Sequence, residues 1–244
     1  MFDHVTLHAA DRHSSERFYR TTLAALGIEP TRGDEDGIEW DDFRIVRADA
    51  DEPPTRGLHL AFVAASRRLV DDFWQAGTDA GSEDLGSPGE RPQYTAGYYG
   101  AFLRDPDGNS AEAVHHADVR RGGHIDHLWI RVGDLDAAHA FYVRLAPHLG
   151  LRVGRRWDEG RQFRGAWATF SLVADGSAPS EGVRMAFPAP DRQGVEEFHR
   201  AAIDAGYLDG AAPTERPDRG RACYTALVLD PAGTVVESVF REPR

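Results

Sequence analysis

Glu112 stands in the middle of a strand-like run, SAEAV (110–114), directly behind the turn DPDGN (105–109). A carboxylate among small and apolar residues either faces solvent or holds something. The arrangement recurs as DPAGTVVE (230–237), which puts Glu237 at the matching place. Histidines stand in two other strand-like stretches, HVTLHA (4–9) and GLHLAF (57–62). Strand alternation sets His4, Thr6 and His8 on one face. Imidazoles and carboxylates suit divalent-metal ligation or proton transfer. The loop GERPQYTAGYYG (89–100) adds Arg91, Tyr94, Tyr98 and Tyr99 just before another strand. Tyr99 has a counterpart in the second half, Tyr224. Arg91 and Tyr94 have no such evident structural duty, although Arg216 partly mirrors Arg91.

Other chemistries are excluded by what is missing. The chain has no lysine, and its 28 basic residues are all arginine. That rules out Schiff-base catalysis and phosphate loops that depend on lysine. GxGxxG, CxxC, HExxH and GxSxG motifs are absent. The one cysteine, Cys223, lies in the apolar run CYTALVL and reads as a core thiol that can form no internal disulfide.

The elements that must position these residues come as a repeat. DHVTLHAAD (3–11) matches DHLWIRVGD (126–134), and Phe18-Tyr19 matches Phe141-Tyr142. Trp40 and Phe43 match Trp167 and Phe170, and read as core anchors. GLHLAF (57–62) matches GVRMAF (182–187). Length drift falls in loops such as RADADEPPTRG, where insertions cost little. The halves meet near RRGGH, which divides the chain into residues 1–119, a linker at 120–124, and residues 125–244. Each half again splits in two. A strand, HVTLHA, leads into a helical pattern, SSERFYRTTLAALG, with Ser14 or Ser15 as its cap and Gly27 as its stop. Short strands GIEW and DFRIV follow. The pattern restarts with LHLAFVA, the helix SRRLVDDFWQAGTDAG, and strands around YYGAFLR and SAEAVHH. Four such passages predict an α+β protein of four βαβββ units.

The 244 residues suffice for one large or two small cores, with 41% hydrophobic and 28% charged residues. The formal charge of −12 disfavours nucleic acid and anionic membrane as partners. No apolar run approaches the roughly 20 residues of a bilayer span, and MFDHVTLHAADRHSSERF lacks the features of a secretory leader. The expectation is a cytoplasmic protein with a small-molecule substrate, either a monomer with paired halves or a homodimer.

D-H-V-x-L, the following FY and LG, G-L-H-x-A-F and DPDGN-x-x-E resemble the vicinal oxygen chelate superfamily. That group holds glyoxalase I, extradiol dioxygenases, fosfomycin-resistance enzymes, methylmalonyl-CoA epimerase and bleomycin-resistance proteins. The resemblance covers both halves and implies two tandem glyoxalase-like, cup-shaped domains. It implies a metal set in the first half made of His4, His59 and Glu112. Two imidazoles and a carboxylate from three strands can occupy one face of Fe, Mn, Ni, Co or Zn and leave the other positions open. In the second half His127 and Glu237 persist, but Arg184 stands where His59 does. An arginine cannot ligate a cation, so that half is expected to hold an Arg184–Glu237 ion pair and no metal.

In glyoxalase I-like members a fourth ligand comes from the last strand of the first unit, where Glu39 or Asp41 could serve. Without it the triad resembles that of extradiol dioxygenases, although Phe102 stands where those enzymes carry a tyrosine. His8 and Tyr94 are candidate catalytic groups. Arg91, Tyr94, Tyr99 and Phe102 are candidate substrate-binding residues. The leading expectation is a metal-dependent lyase, isomerase or oxygenase acting on a vicinally oxygenated substrate. The alternative is a bleomycin-resistance-type protein that sequesters a cationic drug without catalysis.

Overall fold

The computed structural model describes residues 1–117, 122–218 and 221–242. Residues 120 and 121 of the expected linker lie outside them. The four βαβββ units are present. The first runs β1 (His4–Ala9), α1 (Arg12–Ala25), β2 (Arg32–Gly33), β3 (Gly37–Trp40) and β4 (Phe43–Arg47). The second runs β5 (His59–Val63), α2 (Arg67–Asp79), β6 (Asp84–Glu90), β7 (Tyr99–Arg104) and β8 (Ser110–His115). The third runs β9 (Ile125–Arg131), α3 (Leu135–Leu145), β10 (Arg152–Trp157), β11 (Gly160–Arg164) and β12 (Thr169–Val173). The fourth runs β13 (Arg184–Pro188), α4 (Arg192–Ile203), β14 (Leu208–Asp218), β15 (Arg221–Leu229) and β16 (Val235–Arg241).

Inside each unit the first strand pairs in parallel with the last, and the others follow as an antiparallel meander. Units then join through their first strands. β1 pairs antiparallel with β13, and β5 with β9. One eight-stranded sheet is therefore β14-β15-β16-β13-β1-β4-β3-β2, and the other is β10-β11-β12-β9-β5-β8-β7-β6. Each sheet takes one unit from each half of the chain. This corrects the expectation that each half folds its own cup: the first sheet joins units one and four, the second joins units two and three.

What holds each half together is its helices and its turn. α1 packs on α2, and Gly77 permits the approach, since a Cβ there would lie 3.2 Å from Thr22 and closer still to Leu103. Phe43 of the first sheet and Phe62 of the second meet at 5.2 Å, with Tyr19 of α1 against both. The Tyr19 hydroxyl donates to Asp105 Oδ2 at 3.0 Å, and Tyr142 repeats the bond to Asp230 at 2.9 Å. Asp105 also accepts from the backbone N–H groups of Asp107 and Asn109. The DPDGN turn is thus a clamp from unit two back to the helix of unit one. Phe replacing Tyr19 is expected to lower stability by about 1–2 kcal/mol in urea denaturation, because one buried donor is lost while the other bonds to Asp105 remain.

One detail differs from expectation. The cap of α1 is Asp11, which accepts from His13 and Ser14 N–H, so the helix starts before the serines. Gly27 ends it at φ 76°, as the pattern predicts. Trp40 and Phe43 are fully buried core anchors, as is Phe170, whereas Trp167 is 47% exposed. Among the described residues no helix is long and apolar enough to cross a membrane.

Candidate metal centre

β5, β8 and β9 lie side by side in the second sheet, and their inward faces bring His59, Glu112 and His127 together. His59 Nε2 lies 3.0 Å from Glu112 Oε2 and 3.2 Å from His127 Nε2, and His127 Nε2 lies 3.3 Å from the same Oε2. Ligand bonds of about 2.1 Å set neighbouring donor atoms about 3.0 Å apart in an octahedron and about 3.4 Å apart in a tetrahedron. The three separations fit one face of either polyhedron. All three residues are buried.

Each donor is aimed by a partner behind it. His127 Nδ1 is 2.9 Å from Asp126 Oδ1, which turns Nε2 toward the cluster, and Asp126 Oδ2 is 2.8 Å from His116 Nε2. His59 Nδ1 is 3.0 Å from Ser110 Oγ. The Tyr98 hydroxyl donates to Glu112 Oε1 at 2.6 Å and leaves Oε2 for the cluster. Gly100 makes room for that bond, since a Cβ there would sit 2.6 Å from Oε1. Such carboxylate–imidazole supports are what orient ligands around an ion. The donor set fits a divalent metal.

The electrostatics also ask for positive charge at this point. Burial alone would lower the His127 imidazole, but its bonds to Asp126 and Glu112 outweigh that and raise it to about 9. Burial would raise Glu112, yet its bonds to His127 and His59 bring it down to about 2. Burial keeps His59 below its ordinary value despite Glu112. Without a metal, a proton on His127 fills the place of a cation. Binding a divalent ion at pH 7 is therefore expected to release about one proton, and affinity to rise about tenfold per pH unit until the pH nears that of the imidazole. Calorimetry in buffers of different ionisation enthalpy counts that proton; a count of zero would mean the imidazoles were already neutral.

Of the residues expected as metal ligands, the structure brings His59 and Glu112 together and places His4 elsewhere. His4 is on β1 in the first sheet, with Nδ1 2.7 Å from Asp3, and His127 takes the position expected for it. Glu39 and Asp41 do not supply a fourth ligand. Glu39 pairs with Arg44 at 3.5 Å, and Asp41 lies 3.2 Å from His124. Register shows what stands at the fourth position: Ser110 is opposite His59, Thr169 opposite His127, so Ser171 corresponds to Glu112. Arg91, Tyr94 and Phe102 line the cavity of about 350 Å³ beside the cluster, with Tyr98, Trp129 and Arg131. Tyr99 does not. Its side chain faces the helix layer, where the hydroxyl donates to Asp71 at 2.8 Å. Since Phe102 faces the cluster, alternation along β7 selects Gly100 and Tyr98 rather than Tyr99.

His8 sits in the other cup, 3.1 Å from Glu52. There Arg184 does pair with Glu237, through Nε at 3.2 Å and Nη2 at 2.9 Å, and also with Glu52 at 2.8 Å. His4, Arg44 and Glu237 line the same space. Glu237 therefore meets Arg184 as expected, but in the company of His4's cup and not of His127. Thr225, at the place of Gly100, donates to Glu237 at 2.5 Å.

A family model described as the Glyoxalase/Bleomycin resistance protein/Dioxygenase superfamily matches residues 124–238. The uncharacterized protein YqjT of Bacillus subtilis is 32% identical over 122 residues, which span 46% of this chain and 95% of that protein. The chain belongs to this superfamily. Among solved structures, glyoxalase I from Zea mays superposes with a TM-score of 0.72 at 18% identity, covering 98% of this chain and 92% of that one. A putative dioxygenase from Bacillus subtilis superposes with a TM-score of 0.66 at 14% identity, covering 99% and 85%. Those likenesses are likenesses of fold. They match the α+β architecture of two glyoxalase-like cups, one of which brings two imidazoles and a carboxylate together.

Proposed function

We propose that this superfamily member is a metal-dependent enzyme acting on a small substrate that chelates the metal through two adjacent oxygens. The observation that carries the reading is the convergence of His59 Nε2, His127 Nε2 and Glu112 Oε2 within 3.3 Å beside an open cavity. A divalent ion bound there supplies Lewis acidity and a template for the substrate. Fe, Mn, Ni, Co and Zn all suit two imidazoles and one carboxylate. The protein's own part is to hold the donors in one face and leave the others free. Asp126 fixes the His127 ring, Ser110 the His59 ring, and Tyr98 the carboxylate. Ser171 at the fourth position carries no carboxylate, so a proton-transfer group, where one is needed, comes from the cavity. Tyr94 is the candidate proton-transfer group, because its hydroxyl is committed to no partner among the described residues; burial and the Glu112 charge raise it, so it gives a proton more readily than it takes one. His8 drops out of that role, since it lies in the other cup.

Sequestration of a cationic drug fits less well. The cavity wall includes Arg91, which repels a cation. Protein purified without a histidine tag, loaded anaerobically with each of the five metals in turn, tests the reading. Two substrates suffice: a catechol followed by oxygen uptake, and the hemithioacetal of an α-oxoaldehyde followed by absorbance. Turnover that needs a metal and disappears in His59→Ala is expected. Failure of every metal to bind would end this reading.

A further inference from the structure

Arg91 is an arginine with a built seat and no counter-charge. Its guanidinium lies 5.7 Å over the Phe102 ring. Nη2 donates to the Ser87 carbonyl at 2.8 Å and Nη1 to the Glu90 carbonyl at 3.2 Å. Both acceptors are backbone, and among the described residues no carboxylate pairs with it. The seat depends on two glycines. A Cβ at Gly89 would come within 2.7 Å of Nη1, and one at Gly86 within 3.0 Å of the Phe102 ring and 3.6 Å of Nη2. The other cavity arginine, Arg131, is neutralised by Asp175 at 3.1 Å. Of the two arginines that line this cavity, Arg91 is therefore the one held beside the cluster without a paired carboxylate.

Much of the rest of the wall is aromatic. Tyr94 meets Trp129 edge to face at 6.2 Å, the Trp129 ring is 5.4 Å from that of His59, and the Phe102 ring is 6.0 Å from that of His59. Phe102 thus connects the seat of Arg91 to the ligand cluster. A guanidinium carries five N–H donors in a planar fork, and only two are engaged here. The fork matches a carboxylate. Building on the metal reading above, we infer that the substrate is a planar carboxylate whose two adjacent oxygens face His59, Glu112 and His127. Its ring lies against Trp129, Tyr94 and Phe102, and its carboxylate meets Arg91.

The test compares 3,4-dihydroxybenzoate with its neutral isostere 3,4-dihydroxybenzamide in anaerobic calorimetry on the full chain. The wild type is expected to bind the acid about tenfold or more tightly than the amide, as a charge-assisted pair in a partly desolvated seat requires. Arg91→Gln removes that preference and leaves amide affinity within about twofold. Gly89→Ala keeps the charge but displaces the guanidinium, and lowers the preference too. His59→Ala weakens both probes equally and preserves it. Equal affinity for acid and amide in the wild type, an undiminished preference in Arg91→Gln, or no binding of either probe would overturn the inference. Metal content, measured on the same samples, separates the two readings. Absent metal with an Arg91-dependent preference overturns the metal reading alone.

Discussion

His127→Ala is expected to abolish stoichiometric metal binding, while His4→Ala leaves it intact. Loss of one of three protein ligands leaves two, and the deleted imidazole is the one that Asp126 orients at 2.9 Å. The loss in affinity should be at least about a hundredfold, beyond the 10–100-fold typical of losing a supporting residue alone. His59→Ala and Glu112→Ala should match it. His4 lies in the first sheet beside Asp3, so its deletion touches none of the three donors. Elemental analysis of untagged protein after dialysis against a metal-free buffer reads all four variants at once. Retention by His127→Ala together with loss by His4→Ala would mean that units one and two share a cup after all. The experiment therefore tests both the site and the crossed pairing of the halves.

That pairing was the part of the fold the repeat left open. Strand, helix and strands in four passages were legible from alternation, glycine stops and the 3–11/126–134 match. So were the roles of Glu112 and Glu237 as corresponding positions. What a duplicated pattern does not encode is which copy of the first strand pairs with which. His4 and His127 stand at equivalent places in β1 and β9, so His59 and Glu112 find a second histidine in either arrangement. One residue did carry a discriminating signal. Arg44 is opposite Thr6 on β4, as Ser171 is opposite Trp129 on β12. A cup formed by units one and two would set the Arg44 guanidinium beside the metal ligands, where a second cation is opposed. A cup formed by units two and three sets a neutral Ser171 there. Tyr98 was legible in the same way, from the two-residue period that runs back from Phe102 through Gly100. The supports Asp126, His116 and Ser110 were not, because their contacts depend on inter-strand register and ring rotation rather than on sequence spacing.

The first cup yields the largest effect on stability. Arg184 meets Glu237 through Nε and Nη2 and Glu52 through Nη1, and Glu237 is 5% exposed. Arg184→Ala strands the Glu237 carboxylate with Thr225 as its remaining side-chain donor. Breaking a buried ion pair from one side costs about 3–5 kcal/mol, because the desolvated charge left behind has no counter-charge. Removing both sides costs far less, so Arg184→Met combined with Glu237→Gln should recover most of the loss. The acid limb gives an independent reading. Glu52 is held at about 2, first by its bond to His8 and, against burial, by Arg184. A depressed carboxylate contributes fully above its ordinary value of 4.5 and loses that contribution as pH falls toward 2. With Arg184 gone, Glu52 keeps only His8 as its partner, and the pH dependence in this window should shrink. Urea midpoints at pH 7 and across that acid range measure both effects. A cost below about 1 kcal/mol at pH 7 would place the pair with solvated surface bridges instead. Arg184 would then contribute nothing to holding units one and four together.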